Sequence, residues 1–117
     1  MTEIIHQHFI VDAKITNPVD DIGFLESWMK ELVQIVGMEI AIPPKAFLVE
    51  DPNNWGPTAL VGITTSHSSF HMWTKEDPPY FCFDLYSCKP FNEEVVLDHL
   101  EVFKPYDMNI QRIQRGI

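Results

Sequence analysis

Three segments between residues 58 and 88 alternate apolar and polar residues with the two-residue period of a β-strand. They read TALVGITT (58–65), SHSSFHMW (66–73) and YFCFDLYSC (80–88), and only the turn-rich stretch TKEDPP interrupts them. Strands joined by connections this short pair in antiparallel fashion. The region therefore predicts a hairpin-rich antiparallel sheet, onto which the rest of the chain must pack.

Two helices are predicted on either side of this region. Apolar residues recur at helical spacing from Leu25 to Val36, after a capping Asp20 or Asp21 and before Gly37 at the C-terminal cap position. A second helix is predicted over 93–104, with Asn92 as its N-cap and Pro105 at its end.

Further strands are predicted over 4–13, over 38–49 with an interruption at Pro43-Pro44, and over 106–115. The order along the chain is then strand, helix, four strands, helix, strand. That order predicts an α+β fold, a two-layer sandwich in which two helices pack on one face of an antiparallel sheet.

Length and composition favour one domain over residues 1–117, because 45% of the residues are hydrophobic and can form a core. No stretch approaches the roughly 18–20 apolar residues needed to span a membrane. The N-terminal MTEIIHQHF lacks a basic region followed by a long apolar run. We therefore expect no signal peptide, no membrane partner and a cytosolic protein.

The charge and the cysteines narrow the expected partners and compartment. The eight basic residues are scattered and the net charge is −9, which argues against nucleic-acid binding and favours a small cationic ligand over a phosphorylated one.

Cys82 and Cys88 lie in one predicted strand, roughly 20 Å apart, so they cannot form a disulfide with each other. Two free thiols fit a reducing compartment, and we interpret Cys82 as structural.

Two common kinds of site are not favoured by the histidine and serine spacing. His67 and His71 would lie roughly 13 Å apart on a strand and cannot share one metal ion. His6 and His8 share a strand face, where exposed histidines are more common than ligands, so we expect no metal. No G-x-S-x-G elbow surrounds the serines, which makes a hydrolytic triad a weak hypothesis.

The stretch SHSSFHMW, with a glycine-containing apolar strand before it and FDLYSC after it, resembles the S-adenosylmethionine decarboxylase family in its short bacterial and archaeal form. Members of that family carry a Glu-Ser-His segment, a strand ending His-Thr-Trp-Pro-Glu, and an Asp-hydrophobic-aromatic-Thr-Cys segment. The C-terminal IQRGI is similar to a Glu-Arg-Gly near the end of the family's last strand. The matching positions in this chain are Ser66, His67, His71, Trp73, Asp84, Tyr86 and Cys88.

The resemblance implies a pyruvoyl enzyme that cleaves itself between Thr65 and Ser66, so that Ser66 becomes a covalently bound pyruvoyl group. It implies that His71 is the base for the elimination step and that Thr58 holds the processing intermediate with its hydroxyl. Cys88 is implied to protonate the substrate carbon after CO₂ leaves. An amino-acid substrate condenses with the pyruvoyl carbonyl, which accepts the electron pair released by decarboxylation.

The chain departs from the family pattern in three places. Thr65 stands where the family usually has Glu, and Trp-Pro-Glu becomes Trp-Thr-Lys-Glu with about two residues inserted before the next strand. Glu76 is then the nearest replacement for the family's ribose-binding Glu, with Asp77 as an alternative. Trp55 and Phe47 are the candidates for stacking on adenine.

The resemblance implies decarboxylation of S-adenosylmethionine, which supplies aminopropyl groups for spermidine, by a homodimer with its substrate pocket between protomers. Two alternatives stay open. The altered TKEDPP loop is compatible with a pyruvoyl-dependent ornithine or arginine decarboxylase. Thr65 before Ser66 is compatible with an unprocessed, non-catalytic partner subunit.

Overall fold

The computed structural model describes residues 6–116. The predicted start of the first strand at residue 4, most of the segment considered as a signal peptide, and the last residue of IQRGI lie outside this range. Within it, the chain forms β1 (His6–Ile15), α1 (Ile22–Ile35), β2 (Ile40–Val49), β3 (Gly56–Ile63), β4 (Ser66–Trp73), β5 (Tyr80–Ser87), α2 (Glu93–Leu100), a short 3₁₀ helix (Glu101–Phe103) and β6 (Pro105–Arg115). The predicted order of strands and helices is confirmed.

The six strands form one antiparallel sheet in the order β2-β3-β4-β5-β1-β6. The three consecutive strands predicted between residues 58 and 88 are β3, β4 and β5, and they form half of the sheet. β1 lies between β5 and β6. This arrangement confirms the predicted α+β sandwich.

Both helices cover the same face of the sheet. Trp28 of α1 packs edge-on against Phe70 of β4 and Phe83 of β5, with ring centroids 5.5 and 6.0 Å apart. Its Nε1 donates to the backbone carbonyl of His99 in α2 at 3.0 Å, and this bond ties the two helices together. Val96 of α2 is fully buried in the same apolar core.

The helices begin where their caps predict. The Oδ1 of Asp21 accepts the N–H of Phe24 at 3.1 Å, and the Oδ1 of Asn92 accepts the N–H of Glu94 at 2.9 Å. Gly37 has φ 73° just after α1, the left-handed conformation that glycine adopts readily after a helix.

Several predicted boundaries and one predicted interruption were wrong. The strand expected over 58–65 ends at Ile63, because Thr64 and Thr65 form the turn into β4. The second helix stops at Leu100 rather than 104, and the chain turns at Lys104 with φ 52°. The prolines at 43 and 44 do not interrupt β2, because β2 is an edge strand whose pairing with β3 shifts register between Ile42 and Lys45.

No element of the described chain packs over the other face of the sheet, which we call the open face. One row across it contains Phe47, Thr58, His71, Cys82, Asp12 and Asn109, and a second contains Gly62, His67, Tyr86, His8 and Ile113. Phe47, Leu60 and Ile113 of this face are 45, 40 and 42% exposed.

No helix within residues 6–116 is both long enough and apolar enough to cross a membrane.

Candidate active site

The bond that the resemblance marks for cleavage lies at the tight turn between β3 and β4. Thr64 and Thr65 form this turn, and Ile63 pairs with Ser66 on its two sides. Ser66 has φ 151°, a backbone angle that residues with a side chain rarely adopt. Backbone strain of this kind costs about 1–3 kcal/mol and is concentrated at functional sites.

The end of β5 holds this turn in place. The backbone N–H of Cys88 donates to the carbonyl oxygen of Thr65 at 3.0 Å. The Ser87 hydroxyl donates to Thr65 Oγ1 at 2.9 Å and accepts the N–H of Lys89 at 3.0 Å. The carbonyl that precedes Ser66 is therefore both fixed and polarised by a backbone amide.

A histidine contacts the hydroxyl of Ser66 directly. His67 Nδ1 lies 3.0 Å from Ser66 Oγ. The His67 ring also packs against Tyr86, with centroids 5.9 Å apart and planes tilted by 33°. We call Thr65, Ser66, His67 and Cys88 the turn cluster.

The other two predicted catalytic side chains form a separate pair, the Thr58–His71 pair. Thr58 Oγ1 and His71 Nδ1 are hydrogen bonded at 2.6 Å, because Thr58 and His71 are opposite each other in the β3–β4 register. His71 Nε2 is buried and has no hydrogen-bond partner among the described residues. Burial lowers the pKa of His71, which favours its neutral form, the form that can act as a base.

The turn cluster and the Thr58–His71 pair lie at different places on the sheet. Ser66 and His71 are five residues apart on β4, so an extended strand separates them by roughly 16 Å. One protomer therefore brings Ser66, Thr65 and Cys88 together but keeps its own Thr58 and His71 away from them.

Cys82 lies beside His71 in the register and lines the open face. It is exposed, and its interpretation as a structural residue stays a prediction. Partial burial of the thiol, together with the hydrogen bond and charge of Asp12, raises the pKa of Cys82 to about 11. It lines a depression of about 340 Å³ with Asp12, Thr58, His71 and Asp84, among others.

The candidate substrate residues lie in three places: Phe47 on the open face, Glu76 and Asp77 in the loop between β4 and β5, and Trp55 in the loop before β3. Phe47 pairs with Thr58 in the β2–β3 register, beside the Thr58–His71 pair. Glu76 and Asp77 line a second depression of about 390 Å³ with Tyr80. Trp55 is covered by the ammonium group of its neighbour Lys75, 3.5 Å from the ring centroid.

The sequence analysis missed two features of this site, the buried Ser87 that supports the turn cluster and the contact of His67 with Ser66. Ser87 is fully buried at a position of β5 where the alternation places apolar residues. A small polar residue at an apolar position of the alternation is visible in the sequence and could have indicated this role.

Among residues 6–116, no group of three or more His, Cys, Asp or Glu side chains is arranged to hold a metal ion.

Comparisons with known proteins identify the family and the fold of the chain. The family described as S-adenosylmethionine decarboxylase matches residues 7–116. The chain is 30% identical to the S-adenosylmethionine decarboxylase proenzyme 2 of Bacillus anthracis over 116 residues, which cover 95% of this chain and 89% of that protein. A crystal structure of the adenosylmethionine decarboxylase from Aquifex aeolicus has the same fold, with a TM-score of 0.78 at 20% identity, over 99% of this chain and 94% of that one. The chain belongs to the S-adenosylmethionine decarboxylase family.

Proposed function

We propose that this protein is a pyruvoyl-dependent decarboxylase of S-adenosylmethionine that makes its cofactor by cleaving itself between Thr65 and Ser66. One observation carries the proposal: Ser66 has a strained backbone, and the carbonyl that its hydroxyl must attack is held by the N–H of Cys88. A hydroxyl beside a fixed and polarised carbonyl is what transfer of an acyl group from nitrogen to oxygen requires.

Processing also needs a base for the elimination that follows ester formation, and His71 is suited to that role. Its lowered pKa keeps the imidazole neutral near pH 7, and its bond to Thr58 orients the ring. Because roughly 16 Å of strand separates His71 from Ser66 in the same protomer, a second copy must supply it.

We propose a homodimer in which the open faces of two protomers meet about a twofold axis. Two sheets that pack face to face lie about 10 Å apart, a distance that side chains from both sheets fill. An antiparallel arrangement would bring the Thr58–His71 pair of the partner subunit over the turn cluster. The exposed apolar residues Phe47, Leu60 and Ile113 would be buried in such an interface.

Decarboxylation would then take place at the turn cluster. A pyruvoyl group at position 66 supplies a carbonyl that accepts electrons from the carbon losing CO₂. Cys88 follows the end of β5, with its backbone bonded to Thr65, so its thiol is in the vicinity of that group. A thiol can donate a proton near neutral pH and regain one from solvent, and we assign this role to Cys88.

The proposed substrate is a sulfonium cation, and the acidic surface favours it. Glu76 and Asp77 line a depression at the end of the sheet that could receive hydroxyl groups or positive charge. The same acidic pair also suits the amine of ornithine or the guanidinium of arginine, which keeps that substrate class as the second candidate. We propose S-adenosylmethionine first, with spermidine synthesis in the cytoplasm as the use of its product.

Intact mass under denaturing conditions tests processing, and CO₂ release tests the substrate. Purified protein is expected to contain fragments 1–65 and 66–117, and the second should lack a free amino terminus. CO₂ should be released from carboxyl-labelled S-adenosylmethionine and not from ornithine or arginine. A cleaved protein that releases CO₂ only from an amino acid without the adenosyl group would favour the second candidate. A chain that stays intact on long incubation would favour the non-catalytic partner subunit.

Replacement of Cys88 by alanine is expected to leave cleavage largely intact, because the contact with Thr65 uses the backbone of residue 88. Turnover should fall by about 10²–10⁴-fold, the usual contribution of a positioned proton donor. The measurements are the cleaved fraction by mass and the initial rate of CO₂ release. Cys82→Ala, which removes the other thiol, is the matched control. Equal turnover in Cys88→Ala and wild type would assign the proton donor to another group.

A further inference from the structure

We propose that His67 is the general base for the first step of self-cleavage, the transfer of the Thr65 acyl group from nitrogen to the Oγ of Ser66. In the same step, the backbone N–H of Cys88 stabilises the negative charge on the Thr65 carbonyl oxygen. This inference rests on the proposed function and adds a residue to it, because the roles assigned above leave the Ser66 hydroxyl proton without an acceptor.

The first support is the contact between His67 and the reacting hydroxyl. His67 Nδ1 is 3.0 Å from Ser66 Oγ, within the range for proton transfer to a base. In the tautomer with its proton on Nε2, Nδ1 accepts the hydroxyl hydrogen. The ring is oriented by Tyr86, whose own OH is bonded to His6 Nδ1 at 2.6 Å.

The second support is the position of the carbonyl that is attacked. The N–H of Cys88 already donates to the Thr65 oxygen at 3.0 Å, so a donor is in place where negative charge develops. Ser87 fixes the Thr65 side chain through a hydroxyl–hydroxyl bond of 2.9 Å. The base and the oxyanion donor thus both contact the Thr65–Ser66 unit.

The other titratable groups near this site do not replace His67. Tyr86 packs on the His67 ring, and Arg115 lies 4.7 Å from the centroid of the Tyr86 ring. His8 also packs against Tyr86, at 5.4 Å, but its Nε2 bonds Asp84 at 3.2 Å. His71 of the same protomer is roughly 16 Å along the strand, and the partner subunit's His71 already has the later elimination step assigned to it. Among the described residues, the imidazole in contact with Ser66 Oγ is that of His67.

The proposed step is an isomerisation and needs no other reactant. The Oγ–H proton of Ser66 moves to His67 Nδ1 as the Oγ–C bond to Thr65 forms, and the carbonyl electron pair moves onto the oxygen facing Cys88. The electron pair on that oxygen then re-forms the C=O bond as the C–N bond breaks, and the departing nitrogen takes the proton from His67. The products are an ester between Thr65 and Ser66 and a free amino group on Ser66.

The test follows cleavage of freshly translated chain in a cell-free pulse and chase. His67→Ala and His67→Gln should both slow ester formation and cleavage by about 10²-fold or more. Hydroxylamine, which cuts the ester, distinguishes slow ester formation from slow elimination. Added imidazole should rescue His67→Ala, since the substitution leaves the volume of the lost ring free beside Ser66. The rescue rate should rise with basicity across substituted imidazoles of similar size, which a purely structural role would not produce.

His8→Gln is the matched control, because it alters the other imidazole packed on Tyr86 without touching Ser66. It should cleave at the wild-type rate, and circular dichroism should show that all variants are folded. Wild-type cleavage with unchanged rates in both His67 variants would overturn the inference and leave the proposed function standing. Slow cleavage that no imidazole rescues would assign His67 a structural role and also overturn it. Absence of both cleavage and ester in wild type would instead remove the proposed function.

Discussion

A chain carrying Ser66→Ala is expected to remain one polypeptide of 117 residues and to release no CO₂ from S-adenosylmethionine. Alanine lacks the hydroxyl that attacks the Thr65 carbonyl, so neither the ester nor the pyruvoyl group can form. Loss of the electron-accepting carbonyl removes the whole decarboxylation pathway rather than one contribution to it. Intact mass and labelled CO₂ release measure both effects.

Ser68→Ala is the control for this experiment. Ser68 is two residues further along β4, faces the helices, and donates to the backbone carbonyl of Asp84 at 2.6 Å. Its replacement should cost about 1 kcal/mol of folding free energy and leave cleavage in place. Fragments 1–65 and 66–117 in the Ser66→Ala protein would contradict the assigned precursor, since the cut would then need another nucleophile.

Two inactive variants, Ser66→Ala and His71→Ala, are expected to restore activity when they are co-expressed. In the mixed dimer, one site combines Ser66 of one protomer with His71 of the partner subunit, and the other site has neither. Random pairing makes half of the dimers mixed, and each mixed dimer has one complete site. Activity should therefore return to about one quarter of the wild-type value for a twofold dimer. His71→Ala alone should stop at the ester, which hydroxylamine cuts.

Thr58→Ala co-expressed with His71→Ala is the control for complementation. Thr58 and His71 are bonded to each other within one protomer, so each site of that mixed dimer keeps one defect. No restoration is expected from this pair. If Ser66→Ala and His71→Ala also fail to complement, or if the wild-type protein sediments only as a monomer at micromolar concentration, the site is not shared between protomers.

Several features of the fold and the site could be predicted from the sequence. The alternation in SHSSFHMW predicts that Ser68, Phe70 and Met72 share one face of a strand, and in the structure all three are buried. Alternation is reliable because successive side chains of a strand point to opposite faces whatever the strand pairs with. The spacing of Ser66, His71 and Cys88 also indicated the family, since the number of residues between them is known from the sequence without the structure.

The three-dimensional grouping of those residues was decided by strand pairing. Cys88 is 22 positions after Ser66, and it reaches the turn because β5 pairs with β4 in a register that sets Ser66 opposite Ser87. His71 is much closer in sequence, yet an extended strand separates it from Ser66. The same register pairs His71 with Thr58. Local periodicity determines which face a side chain occupies, whereas its neighbours on that face depend on hydrogen bonds between distant strands, which only the folded sheet specifies.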